Sequence, residues 1–169
     1  MPRPFRLHPL DGLVALMGVG TLLLIYGGTR PRLDEYEPAI SEADAASVVK
    51  LSWKDLKSLD AQSGEAGAEL RALDGETVAM PGYIVPLEDE QSRSAYFLLV
   101  PYVGACIHSP APPANQIIVV EMETGPVEFE MWEPYWATGV LSIETTESPY
   151  GPVGFQMRGL RIDPLEISE

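Results

Sequence analysis

The chain has 169 residues and a formal charge of −14, a length that fits one domain plus extensions and can bury a real core. Residues 1–32 hold four of the eleven basic residues and one acid, so residues 33–169 carry seven Lys and Arg against 24 Asp and Glu, a balance of −17. A field of that sign repels nucleic acid and anionic lipid headgroups and draws in cations, which excludes nucleic-acid binding, and the single cysteine excludes an intramolecular disulfide.

Residues 13–28, uncharged and mostly apolar, lie between Arg3 and Arg6 on one side and Arg30 and Arg32 on the other. Counted from Leu10 to Gly28 the stretch is just long enough to cross a bilayer, at about twenty residues per span. It reads as a signal anchor or signal peptide, and the absence of an Ala-x-Ala site near Tyr26-Gly27-Gly28 favours the uncleaved anchor. Basic residues near the start and a long acidic domain after it put the N-terminus in the cytoplasm. The expected arrangement is a single-pass inner-membrane protein, with residues 10–28 in the membrane and the soluble domain in the periplasm.

Residues 29–50 read as an acidic tether containing Pro31 and Pro38, with a short helix capped by Ser41 and running to Val49. The folded domain is expected over residues 51–169. Its preface is helical: Ser52 and Asp55 carry cap logic, Trp53, Leu56 and Leu59 follow at helical spacing, and Ala68 to Leu73 form another short turn before Asp74-Gly75.

Beyond Gly75 the pattern changes to strands. Thr77 to Leu87 is interrupted by Pro81-Gly82, where a bulge or sharp bend is expected. Ala95 to Val103 and Gln116 to Met122 are rich in strand-favouring residues, Val127, Phe129 and Met131 alternate with acids, and Tyr135 to Ile143 follows. Val153, Phe155 and Met157 alternate again, and Gly159 marks an expected bulge. The fold class is mainly β: a small OB-like barrel or sandwich of about five to six strands with a short helical preface, plus one N-terminal transmembrane helix.

Several motifs in order carry a family resemblance. Leu51-Ser52-Trp53-Lys54-Asp55-Leu56, Pro81-Gly82-Tyr83-Ile84-Val85-Pro86-Leu87-Glu88, Phe97 to Tyr102 with Gly104-Ala105-Cys106-Ile107-His108, Pro112-Pro113-Ala114-Asn115-Gln116 and Trp136-Ala137-Thr138-Gly139-Val140-Leu141 together resemble the bacterial envelope proteins of domain of unknown function family 3299. The resemblance covers roughly residues 50–162. It brings no established enzyme chemistry; members of the family typically carry a secretion or lipoprotein signal, and some stand alongside ABC-type export systems and metal-responsive genes. Ala111 stands where the family more often has proline.

The candidate site is the loop between the apolar runs at Phe97 and Val120, which holds the only cysteine and the only histidine beyond the N-terminal segment. Three readings of it stay open. Cys106 and His108, a thiolate and an imidazole in a Cys-x-His pair, suit Zn²⁺ or Cu⁺, but two ligands are incomplete. Completion would need Glu88, Met80, Met122, Met131, Met157 or a partner protein. In a structural reading Cys106 is a small apolar residue and His108 a hydrogen-bonded ring, while Pro110, Pro112, Pro113, Asn115 and Gln116 form a rigid contact loop. A catalytic thiol with His108 as base is the weakest, because a base two residues from its nucleophile rarely points back at it.

The expected function is a non-enzymatic, membrane-anchored periplasmic accessory or binding protein of an envelope system, with a protein partner there and a possible Zn or Cu site. The alternative is a structural subunit of a larger membrane complex, a transporter or an electron-transfer assembly. The tryptophans and tyrosines are expected mainly in the core.

Overall fold

The computed structural model describes residues 48–88, 92–107 and 110–165. The expected anchor, nearly all of the tether with the cap at Ser41, and His108 lie outside the described residues.

Ten strands are described: β1 (Val49–Lys50), β2 (Thr77–Pro86), β3 (Arg93–Ser94), β4 (Tyr96–Val100), β5 (Ile118–Met122), β6 (Val127–Glu128), β7 (Pro134–Ser142), β8 (Thr146–Ser148), β9 (Gly151–Val153) and β10 (Phe155–Pro164). One α-helical turn, α1 (Ala68–Arg71), and 3-10 turns at Asp55–Ser58 and Ala114–Gln116 complete the elements. Val49, expected at the end of a helix, lies instead in β1, which pairs in parallel with β2 through Val49↔Val78 and Lys50↔Ala79.

Five of the strands close into a barrel in the order β2, β4, β5, β10, β7 and back to β2. All neighbours are antiparallel except β5 and β10. Of the two expected architectures the chain adopts the barrel, and the length of β2 is the reason. Its first part, Thr77 to Tyr83, pairs with β7, and its last, Tyr83 to Pro86, pairs with β4, so one strand joins both ends of the sheet.

The register of β2 against β7 runs through Pro81 and Gly82 without a shift, so the expected bulge is absent there. Gly82 serves close packing instead, since a Cβ on it would meet Leu99 Cγ at 2.6 Å. The bulge sits in β10, where the register against β7 shifts between Gly159 and Arg161.

Alternation along the strands divides the apolar residues between two sides. Val78, Met80, Ile84, Phe97, Leu99, Ile118, Val120, Leu141, Phe155 and Met157 fill the barrel interior. Ala79, Tyr83, Val85, Leu98, Val100, Ile117, Val119 and Trp136 form a second cluster on the outside. Strands buried on both faces read as unbroken apolar runs, which is why β4 and β5 show little alternation in the sequence.

The helical preface plugs the barrel. Trp53, Leu56, Leu59 and Leu70 are buried within the interior cluster. The Asp55 carboxylate accepts from the Ser52 amide at 2.7 Å and its hydroxyl at 2.8 Å, which fixes the first turn, and the Trp53 indole N–H donates to the Pro81 carbonyl at 2.7 Å.

Candidate functional site: the loop over the outer face

The loop that begins at Pro101 and leads to the 3-10 turn at Ala114–Gln116 packs its first part, through Val103, Ala105 and Cys106, against the outer apolar cluster. Ala105 is fully buried in that cluster, with Val103 and Cys106 packed at its edge. The backbone reaches this position through two left-handed residues, Gly104 at φ 78° and Cys106 at φ 65°. Glycine adopts that conformation freely. A residue with a Cβ does so at a cost of roughly 1–2 kcal/mol, so Cys106 is held there by its surroundings.

Half-burial pushes the Cys106 thiol above its ordinary pKa, because removal from water penalises the charged thiolate. The thiol is therefore protonated near neutral pH, the opposite of what an activated nucleophile needs. Pro112 is buried, whereas Pro110 and Pro113 are exposed. The Tyr102 hydroxyl donates to the Pro110 carbonyl at 3.4 Å across the base of the loop.

Asn115 and Gln116 act outside the turn itself. The Asn115 side-chain amide donates to the Leu59 carbonyl at 2.8 Å. The buried Gln116 amide donates to the Trp53 carbonyl at 3.0 Å and to the Asn115 carbonyl at 2.7 Å. Both join the end of the loop to the preface that plugs the barrel. Spacing alone could not show this, since the partners lie 56 and 63 residues away in sequence.

Of the side chains that were candidates to complete a metal site, three methionines and Glu88 are engaged elsewhere, and Met131 is partly buried in the turn before β7. Met80, Met122 and Met157 belong to the interior cluster, on the other side of the barrel wall from Cys106. The Glu88 carboxylate is engaged in the β2–β4 connection, accepting from the Ser94 hydroxyl at 2.5 Å, the Ala95 amide at 2.8 Å and the Tyr96 amide at 3.3 Å. Among the described residues no three Cys, His, Asp or Glu side chains converge on a metal-sized position.

The bonds from Ser94 and from the Ala95 amide hold the Glu88 carboxyl below its ordinary range. A carboxyl depressed in the folded state adds stability above its unfolded value of about 4.3, and that stability is lost as pH falls through the lower folded value. Asp60, lowered by amide bonds from Ser63 and Gln62, acts in the same direction. Glu88→Gln is expected to flatten the acid limb of stability measured by urea unfolding below about pH 4.3; a limb as steep as wild type would remove Glu88 from the account.

Sequence reasoning also missed a second concavity, on the half of the outer face that the loop does not cover. Its signal was present: the apolar run of β5 breaks at Glu121, and Tyr96 shares the outward parity of Leu98.

Fold and site together define a small, closed, mainly β barrel with a helical plug and a proline-braced loop laid over its outer wall. The chain belongs to the family described as protein of unknown function (DUF3299), whose model matches residues 33–164. The resemblance read from its motifs therefore holds. It is similar to a crystal structure of a DUF3299 family protein from Pseudomonas aeruginosa PAO1, at 32% identity and a TM-score of 0.58, over 71% of this chain and 97% of that one. A structure of a putative aspartyl-tRNA synthetase from Leishmania major Friedlin also matches, at 8% identity and a TM-score of 0.40, over 90% of this chain and 27% of that one, a likeness too slight to carry an argument. A search of the curated proteins found no match.

Proposed function

We propose that this protein is a membrane-anchored accessory or binding component of the bacterial envelope, acting by contact through residues 104–116 without chemistry of its own. In this reading residues 10–28 hold it in the inner membrane and the barrel stands in the periplasm. The barrel is of the OB type, which is supported by its Greek-key order and by the parallel pairing of its third and fifth barrel strands. That architecture alone implies no ligand, and a balance of −17 over residues 33–169 argues against nucleic acid.

One observation carries the reading. The loop is fixed at its end by Asn115 and Gln116 and near its start by buried Ala105, yet Tyr102 and Ile107 remain exposed on it. A loop ordered before binding loses little entropy on docking. Full-length protein in mild detergent is expected to retain an envelope partner that Ile107→Asp releases without lowering the melting temperature. Retention by the variant would sink the proposal.

The left-handed Cys106 favours a second reading, in which the thiol is kept at a costly position because it binds Zn²⁺ or Cu⁺ together with His108. Partner groups would complete the coordination. Titration of the full-length chain with each metal, beside Cys106→Ser and His108→Ala, decides it: equal weak binding by all three proteins removes the metal.

A further inference from the structure

The uncovered half of the barrel's outer wall is a half-open groove of about 460 Å³ across β4, β5, β10 and β7, with Thr146 of β8 also lining it. Strand registers set its surface out in rows. Tyr96, Glu121, Arg158 and Val140 stand side by side in one row, and Leu98, Val119, Gln156 and Ser142 in the next. Tyr96 is 40% exposed, and Val119, almost fully buried, belongs to the apolar layer beneath.

The charges in the first row are unevenly satisfied. Arg158 is paired with Glu123, beyond the row. The side-chain carboxylate of Glu121, the register partner of both Tyr96 and Arg158, makes no hydrogen bond or ion pair among the described residues. A carboxylate without an ion-pair partner thus sits beside an exposed aromatic ring, on a chain whose residues 33–169 carry a balance of −17.

We propose that this groove binds a lysine or arginine side chain presented by a basic peptide segment of a partner. The ring quadrupole of Tyr96 attracts a cation over its face, and Glu121 supplies a charge-assisted hydrogen bond. The acidic surroundings raise the local concentration of basic segments. Arg158 fixes the orientation, because its own positive charge disfavours a second cation at the β10 side and leaves the position between Tyr96 and Glu121. A neutral sugar would use the ring and the Gln156 amide but gain nothing from the charge. The inference concerns a different surface from the loop and stands independently of the loop's function.

The test is calorimetric titration of full-length protein with the peptide Arg-Gly-Arg-Gly-Arg, against the same peptide with neutral citrulline in place of arginine. Binding is expected for the arginine peptide alone, weakening with added salt. Glu121→Gln is expected to weaken it about tenfold and Tyr96→Leu at least about threefold, with Tyr96→Phe close to wild type. Melting curves show whether Tyr96→Leu stays folded, and Glu121→Gln gives a second route if it does not. Glu133→Gln, at the opposite end of β7 from Val140, removes the same charge and is expected to have little effect. Binding of the citrulline peptide as well as of the arginine one, an equal loss from Glu133→Gln, or binding of maltohexaose in place of peptide would each overturn the proposal.

Discussion

Gly139→Ala is expected to destabilise the barrel by about 3 kcal/mol, the upper end of the range for forcing an extra methyl into a packed structure. The geometry places it there because the obstruction is largely main chain. A Cβ at Gly139 would lie 2.5 Å from the Arg158 carbonyl oxygen and 2.7 Å from Met157 Cγ. The opposing residue in the β7–β10 register is Gly159, so two strands approach closely where neither has a side chain. A flexible side chain could swing aside, but Arg158 belongs to the β10 ladder and would take its neighbours with it. Gly125→Ala is the informative comparison. Gly125 has a φ of 85° and open space around its Cβ direction, so alanine there meets only backbone strain, roughly 1–2 kcal/mol. Urea midpoints for the two variants should therefore fall in that order. If Gly139→Ala proved no worse than Gly125→Ala, the close approach of β7 and β10 would have to be abandoned.

Leu56→Ala is expected to cost between about 2 and 5 kcal/mol, a core-sized loss from a residue in a four-residue turn. A short 3-10 turn has little stability of its own, and an exposed leucine there would be nearly neutral to remove. Leu56 is instead completely buried in the interior cluster, where its loss leaves a cavity between the plug and the barrel strands. Lys57→Ala, one residue on and exposed, provides the surface reference and should stay within about 0.5 kcal/mol of wild type. Equal effects of the two changes would mean that the preface merely lies beside the barrel.

Local chemistry made much of the fold legible. β7 and β10 were expected from alternating or strand-rich runs, the Ser52–Asp55 turn from cap residues, α1 as a short helical turn within Ala68 to Leu73, and the corner at Asp74-Gly75 from its dipeptide. In the structure the Asp74 carboxylate accepts the Ile143 amide at 2.9 Å, which ties that corner to the end of β7. Strand ends were less legible. β4 stops at Val100, before the apolar run does, because Pro101 to Val103 already belong to the covering loop, and the alternation at Val127, Phe129 and Met131 yields only the two-residue β6. Barrel closure was not written in any local pattern, since it depends on β2 having two partners from distant parts of the chain.

Site residues divided in the same way. Cys106 and the prolines stood out by rarity and composition. The duties of Asn115, Gln116 and Glu88 emerged only from the fold, because each is defined by the carbonyls or amides it meets. The aromatic residues expected in the core are there for Trp53, Tyr83 and Trp136, while Tyr96, Tyr102 and Trp132 are exposed.

The double partnership of β2 has a consequence for how the domain assembles. Its pairing with β4 is local and can form early, but its pairing with β7 closes a loop of more than fifty residues, and β10 must then bridge β7 to β5. Contacts so distant in sequence slow folding, because chain entropy is lost before they form. Until β10 arrives, Ile118 to Val120 of β5 present an apolar strand with an unpaired edge, the kind of surface on which chains associate wrongly. A domain built this way has no stable half: a chain ending before Phe155 lacks the strand that completes the wall and keeps β5 from serving as a template for its neighbours.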